Sequence, residues 1–177
     1  MSRKIIVIVG ITGNQGGSVA RRFLQDSDYQ IRGLTRNPKS AAAQEFASKG
    51  VEIVQTDLED PASVKAAFVG ANLIFTVTNH WEAFFRPDFR AKADERGISY
   101  ARIAYETEVR HGKHMADAAA ATIDSLDDNG LIASTEGDGS KATGGNYGKD
   151  AMLHFDGKCH VFPDYVNEKY PELAKKM

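Results

Sequence analysis

The chain has 177 residues, 42% of them hydrophobic, which is enough for one sizeable core. A formal net charge of −2 excludes the basic footprint of a protein that grips nucleic acid directly. A single cysteine excludes an internal disulfide and favours a reducing compartment. The sequence shows neither a signal peptide nor the run of about 18 apolar residues that a membrane helix needs, so we expect a cytoplasmic protein without membrane contact.

The first segment predicts a strand, a phosphate-binding loop and a helix. Residues 5–9 form an uninterrupted apolar run, which is typical of a parallel strand covered on both faces. Gly10, Gly13 and Gly16 follow with the spacing G-x-x-G-x-x-G. In a dinucleotide-binding loop these glycines allow a tight turn, close approach of a pyrophosphate and close packing of the helix on the strand, respectively. A glycine turn without a nucleotide is the alternative.

Strands and helices then alternate along the chain. We predict further strands over residues 29–35, 51–56, 72–78 and 131–135, and helices over residues 17–26, 40–49, 62–69 and 101–124. Right-handed crossovers turn this order into a parallel sheet with helices on both faces. The pattern therefore predicts a doubly wound, Rossmann-like α/β fold with three layers, α/β/α, and about five strands. Residues 79–99 are interpreted as an irregular excursion and residues 136–148 as a mobile loop, with more helix from residue 149.

The carboxyl ends of the strands are where such a sheet binds its ligand. Arg36 follows the second strand, where a cofactor without a 2′-phosphate would usually meet an acidic residue. A guanidinium suits a phosphate, so with Lys39 as a second positive charge the sequence favours NADP over NAD. A solvated arginine is the alternative. Asp57 and Leu58 follow the third strand, where a side chain can border adenine, and a role of Asp57 as a turn residue is an equal alternative.

The fourth strand ends in small and hydroxyl-bearing residues that would allow ribose and nicotinamide to approach closely. We predict Thr76, Thr78 and Asn79 as contacts there, with His80 as an alternative to Asn79. The aromatic residues that follow are interpreted as a hydrophobic lid or packing patch: Trp81, Phe84, Phe85 and Phe89.

Three smaller features receive structural interpretations. His111 and His114 lie three residues apart without a further ligand constellation, so we predict no metal site. Cys159 is interpreted as a small packed residue, and residues 106–110 as a solvated face of the long helix.

Five segments together resemble the NmrA-like family, a group of atypical short-chain dehydrogenase/reductases. They are residues 10–18 (GITGNQGGS), 35–38 (TRNP), 76–82 (TVTNHWE), 112–113 (GK) and 154–158 (HFDGK).

The resemblance implies a Rossmann domain that binds NADP, with NAD as the alternative. It implies that Thr12, Asn14 and Gln15 lie near the pyrophosphate and that Arg36 contacts the 2′-phosphate.

The same resemblance leaves two functions open. Active short-chain reductases carry Tyr-x-x-x-Lys, whose lysine steadies the tyrosinate and bonds the nicotinamide ribose. Here the matching residues are His154 and Lys158, which a helix places on one face. Members with this substitution are regarded as sensors that bind dinucleotide and report redox state to protein partners.

We therefore predict an NADP-binding redox sensor or transcriptional regulator with little or no turnover. Its partner would be a protein such as a transcription factor, and its place the cytoplasm or the nucleus. The alternative is an NADPH-dependent reductase of quinones or phenolic ethers that uses Lys158, with His154 as its polar pair. A third interpretation makes His154 a packed helix residue and Lys158 a surface cation.

The resemblance also sets the predicted domain boundary. Residues 1–161 correspond to the NAD(P)-binding domain, and residues 162–177 to the start of a C-terminal region that the family continues into a further strand and a smaller subdomain. A sheet edge without that subdomain would favour self-association into a homo-oligomer.

Overall fold

The computed structural model describes residues 3–177 and contains a five-stranded parallel sheet. The strands are β1 (Lys4–Val9), β2 (Tyr29–Thr35), β3 (Glu52–Gln55), β4 (Leu73–Val77) and β5 (Leu131–Ser134). Their spatial order is β3-β2-β1-β4-β5, and every neighbouring pair is parallel. This confirms the predicted doubly wound, Rossmann-like fold. The chain builds outward from β1 first on one side and then on the other, so the carboxyl end of β1 is the switch point at which such sheets bind ligands.

Helices connect the strands. They are α1 (Asn14–Phe23), α2 (Ala41–Ser48), α3 (Pro61–Phe68), α4 (His80–Phe85), α5 (Pro87–Arg96), α6 (Tyr100–Ala121), α7 (Gly139–Ala142), α8 (Leu153–Cys159), α9 (Val166–Lys169) and α10 (Pro171–Ala174). A 3₁₀ turn (Ile123–Ser125) follows α6, and a wide π-type turn (His160–Tyr165) joins α8 to α9. Within residues 3–177, none of these helices combines the length and the apolar character needed to cross a membrane.

Successive residues of β1 contribute to two different cores. Val7 and Val9 belong to the core that includes residues of α3 and α6. Ile6 and Ile8 belong to the core that includes residues of α1 and α2. Since side chains alternate between the faces of a strand, both faces of β1 are covered, which explains why its sequence is apolar throughout.

Residues 79–99 are largely helical, which corrects the prediction of an irregular excursion. Asn79 caps α4 by accepting a hydrogen bond from the Glu82 N–H at 3.3 Å. Pro87 occupies the first turn of α5, and Gly97 ends that helix with a φ of 61°. Pro87 and Gly97 therefore mark the two ends of one helix inside the segment that the sequence analysis interprets as irregular. Helices α4, α5 and the start of α6 share a small core around the buried ring of Phe89.

The C-terminal residues pack into the same core as α3 and α6. Val161, Phe162, Val166 and Leu173 are buried there. The division after residue 161 stays a prediction.

Part of the predicted loop 136–148 is ordered as the short helix α7, which Asp138 caps by accepting from the Lys141 N–H at 2.6 Å.

The turn from β1 into α1 brings helix and strand into direct contact at Gly16. A Cβ built on Gly16 would lie 2.4 Å from the carbonyl oxygen of Gly10 and 2.9 Å from that of Val9. Gly10 has a φ of 66°, which a residue with a side chain rarely adopts. The predicted roles of these two glycines in turning and in close packing agree with this geometry.

Gly16→Ala is expected to lower the free energy of unfolding by about 1–3 kcal/mol, because a methyl group there pushes α1 away from the β1 backbone. Urea unfolding followed by circular dichroism measures the loss. Gly137→Ala is the control, since nothing lies within 4 Å of a Cβ at that exposed position. The control should stay within about 0.5 kcal/mol of the wild-type chain. Equal urea midpoints for Gly16→Ala and the wild-type chain would contradict the contact.

Candidate functional site

The loop of residues 10–16 lies at the carboxyl end of β1 and leads into α1. Thr12, Asn14 and Gln15 are exposed on it. No side chain caps the start of α1 at Gly13, so the first amides of the helix remain available to an anion, which would also meet the positive end of the helix dipole. This cradle fits the pyrophosphate of a dinucleotide.

Arg36 lies just beyond β2 with an exposed side chain, as a residue for an adenosine phosphate would. Its guanidinium forms an ion pair with the carboxylate of Glu82 on α4, a contact that the sequence analysis missed. Lys39 is also exposed nearby in the chain.

Asp57 and Leu58 make turn and packing contacts after β3. The Asp57 carboxylate accepts from the Glu59 N–H at 3.0 Å, which is the turn role left open by the sequence. The Leu58 carbonyl oxygen lies 2.7 Å from His114 Nδ1 of α6. A contact of either residue with adenine stays a prediction.

Lys158 and Glu108 form a largely buried ion pair beside the carboxyl end of β4. Lys158 Nζ lies 2.8 Å from Glu108 Oε1 and donates to the carbonyl and hydroxyl oxygens of Thr78, both at 3.0 Å. The Thr78 hydroxyl in turn donates to Glu108 Oε1 at 2.6 Å. An ammonium has three protons, so these three acceptors meet its hydrogen-bonding capacity within the protein.

Glu108 corrects the interpretation of residues 106–110 as a solvated face. Its side chain has 0% exposure. Gly157 of α8 makes room for it, since a Cβ there would lie 2.7 Å from Glu108 Oε2. A signal was present in the sequence: Ala104, Glu108 and Gly112 recur every fourth residue of α6, and all three are buried.

The environment of Glu108 keeps its carboxylate charged. Burial raises the pKa of Glu108, but the approach of His80, the ammonium of Lys158 and the Thr78 hydroxyl together outweigh it, so that the pKa falls below the usual 4.5. His80 Nδ1 lies 3.5 Å from Glu108 Oε2, and both side chains are buried. The carboxylate is therefore ionised near neutral pH.

His154 lies on α8 one turn before Lys158, as the helical spacing predicts, and packs among aromatic rings. Its ring centroid is 4.0 Å from that of Phe155 and 5.4 Å from that of Trp81. Trp81 is 50% exposed and Phe85 63%, whereas Phe89 is buried, so the predicted aromatic patch is only partly on the surface.

The predicted nicotinamide-side contacts differ in accessibility. Thr76 and Thr78 are buried, and the Thr78 hydroxyl is committed to Glu108 and Lys158. Asn79 is exposed, although its side chain caps α4. Ribose contacts by the two threonine hydroxyls stay a prediction that needs these side chains to become accessible.

His111 and His114 tie α6 to the segment after β3. His111 Nε2 lies 2.9 Å from Glu59 Oε1 and His114 bonds the Leu58 carbonyl. Within residues 3–177, no three His, Cys, Asp or Glu side chains converge as a metal site would require. The half-buried Cys159 has its pKa raised by burial, which keeps the thiol protonated.

A family model described as the NmrA-like family matches residues 2–123. The chain belongs to the NmrA-like family. It is 42% identical over 108 residues to the NmrA-like family domain-containing oxidoreductase hkm9 of Aspergillus hancockii, covering 61% of this chain and 32% of that protein. It is 36% identical over 116 residues to the similarly named oxidoreductase FrzB of a Cladobotryum species, covering 66% and 30%. The match thus spans about a third of the length of these curated relatives.

Solved structures of this fold include a regulator and a reductase. NmrA, a negative transcriptional regulator, superposes with a TM-score of 0.66 at 21% identity, covering 96% of this chain and 44% of that one. An NADPH-bound carbonyl reductase from chicken fatty liver superposes with a TM-score of 0.65 at 19% identity, covering 97% of this chain and 76% of that one. At these identities the likeness establishes the Rossmann-like fold of this NmrA-like chain and leaves its activity to other observations.

Glu108→Gln is expected to lower the free energy of unfolding by about 3–5 kcal/mol near pH 7, because Lys158 loses its carboxylate partner. The folded-state pKa of Glu108 lies below its usual value, so the stabilisation is complete above the usual value and is lost as pH falls through the folded pKa. Urea unfolding over a pH series should therefore show a difference in unfolding free energy between wild-type chain and variant that is fully present at neutral pH and narrows as the pH falls below the usual glutamate pKa of 4.5.

Glu106→Gln is the control for this series. It removes the same charge two residues earlier, from a half-exposed pair with Arg96 at 2.6 Å, and should cost less than about 1 kcal/mol. A Glu108→Gln gap that stays constant with pH would contradict an ionised Glu108.

Proposed function

We propose that this NmrA-like chain binds NADP(H) as a redox sensor, reports the bound dinucleotide to a protein partner, and turns over little or no substrate. The observation that carries the proposal is the state of Lys158, whose ammonium protons point to Thr78 and Glu108 within the protein. A lysine that serves a short-chain reductase directs its ammonium towards the nicotinamide ribose. His154, in the place of the usual tyrosine, packs among aromatic rings.

The nucleotide end supports binding of a dinucleotide. The amides at the start of α1 suit the pyrophosphate, and the exposed Arg36 suits a 2′-phosphate. The solved carbonyl reductase of the same fold holds NADPH, and a structure of NmrA holds NAD, which supports a nicotinamide dinucleotide as the ligand. When bound, such a cofactor supplies a redox state that a sensor can read.

A transcription factor is the partner class that we propose. The fold relative NmrA is a negative transcriptional regulator, which supports this choice. With such a partner, the proposed place of action is the cytoplasm or the nucleus. Self-association of the chain stays a prediction.

Arg36→Ala is expected to weaken NADP binding by about 10- to 100-fold and NAD binding by less than about twofold, since only NADP has the 2′-phosphate that the guanidinium would contact. Hydrogen bonds between charged groups are worth about 1.5–3 kcal/mol, which corresponds to that range. Isothermal titration calorimetry of the purified chain with both cofactors measures the ratio. Arg96→Ala, which removes an exposed arginine from α5, is the control. Equal losses for NADP and NAD would contradict the assignment of Arg36.

Turnover separates a sensor from an enzyme. NADPH mixed with the chain and a panel of quinones and aldehydes should be oxidised no faster than without the chain. Steady oxidation that scales with the concentration of the chain would refute the sensor.

An NADPH-dependent reductase is the second candidate, favoured because the matched fungal relatives are named oxidoreductases. It makes Lys158 the group that contacts the cofactor. Replacing Lys158 alone would leave Glu108 buried without a partner. The neutral double variant Glu108→Gln with Lys158→Met avoids this and should lower any reductase rate by at least about 100-fold. An unchanged rate in the folded double variant would exclude this role of Lys158.

A further inference from the structure

An ion pair joins the segment after β2 to helix α4, next to the loop of residues 10–16. Arg36 follows β2, and Glu82 lies on α4, which follows β4. In the sheet β1 lies between β2 and β4, so the contact of Arg36 with Glu82 passes over the carboxyl end of β1, where the loop of residues 10–16 begins. Strands two places apart are separated by about 10 Å, a distance that an arginine and a glutamate can bridge together.

We propose that Glu82 competes with the 2′-phosphate of NADP for the guanidinium of Arg36. This inference rests on the proposed function, because it needs Arg36 to receive that phosphate. The Glu82 carboxylate pairs with the Arg36 guanidinium, and a phosphate offers the same guanidinium another set of anionic acceptors. Two anions on one guanidinium repel each other, so NADP binds with displacement of Glu82. NAD has no 2′-phosphate and leaves the pair in place.

A second partner for Glu82 is already close. Arg86 lies one turn further along, with its Nη1 3.8 Å from Glu82 Oε1. Arg86 is held by Asp88 through bonds of 2.9 and 2.6 Å, so its position does not depend on Glu82. A rotation of the Glu82 side chain therefore exchanges Arg36 for Arg86 while the backbone cap of α4 by Asn79 remains.

The exchange links the cofactor to the surface of α4. The pair with Arg36 ties α4 to the end of β2, and its loss frees that side of the helix. Trp81, the residue before Glu82, is half exposed and is the only tryptophan of the chain. A cofactor with a 2′-phosphate thus changes the environment of Trp81 through the loss of this pair, in addition to any effect of the nicotinamide that NADP and NAD share.

Calorimetric titration of the full chain with NADP and with NAD tests the competition. Glu82→Gln is expected to tighten NADP binding about two- to fivefold and to leave NAD binding unchanged, because an exposed ion pair no longer has to be broken. In an Arg36→Ala background the same Glu82→Gln change is expected to have no effect. Glu106→Gln is the matched control: its carboxylate is 35% exposed, as is that of Glu82, and its arginine partner is similarly exposed, at 48% against 53%.

Trp81 fluorescence gives a second readout on the same samples. Oxidised NADP should change the emission of the wild-type chain more than NAD does, and this difference between the two cofactors should be lost in Glu82→Gln, where the pair with Arg36 is already broken. Thermal melts of every variant confirm that it is folded.

Two results would overturn the competition. One is unchanged NADP affinity in Glu82→Gln. The other is equal tightening with and without Arg36, which would mean general charge repulsion. Absence of dinucleotide binding in every variant would overturn both this inference and the proposed function. Steady turnover of NADPH together with the expected affinities would refute the sensor and leave the competition at Arg36 standing.

Discussion

The pairing of Lys158 with Glu108 is the interaction on which the carboxyl edge of the sheet depends. It joins β4 through Thr78, α6 through Glu108 and α8 through Lys158. A buried charge without its partner costs several kcal/mol, so these three elements fix one another in place. The contacts that hold the edge together are also the contacts that occupy the ammonium group. The three protons of the Lys158 ammonium hold these elements together and are therefore not directed at a cofactor. This is the physical basis for proposing a sensor.

The nucleotide end of the site is built on the opposite principle. Its groups are exposed, and they come from consecutive residues: the loop of residues 10–16 and the start of α1. Arg36 is exposed as well, with a carboxylate as its partner. The loop after β1 thus offers open donors to an anion, while the charges of Lys158 and Glu108 beside β4 are paired and largely buried. The groups that we propose for dinucleotide binding and the buried Lys158–Glu108 pair are therefore separate sets of residues.

Local sequence signals predicted the parts of the fold that neighbouring residues make. The apolar run of β1, its glycine loop and the helix predicted over residues 62–69, which Asp60 caps in the structure, each depend on residues within one turn of one another. Glu108 escaped prediction because its partners lie 30 and 50 residues away along the chain. The partner of Arg36 lies 46 residues away. Residues 79–99 are the exception to this rule. Their helix caps are local, but they were not recognised because the segment is rich in charged residues.

The distance between Glu108 and Lys158 along the chain also bears on how the protein is made. During synthesis, Glu108 is added to the chain fifty residues before Lys158. During that interval α6 carries a carboxylate whose ammonium partner has not yet been synthesised, and burying it alone is costly. The second half of α6, with Met115 and Ala119, shares its core with α3, so its packing does not depend on Lys158. Burial of the segment around Glu108 is favoured only once Lys158 has been added to the chain.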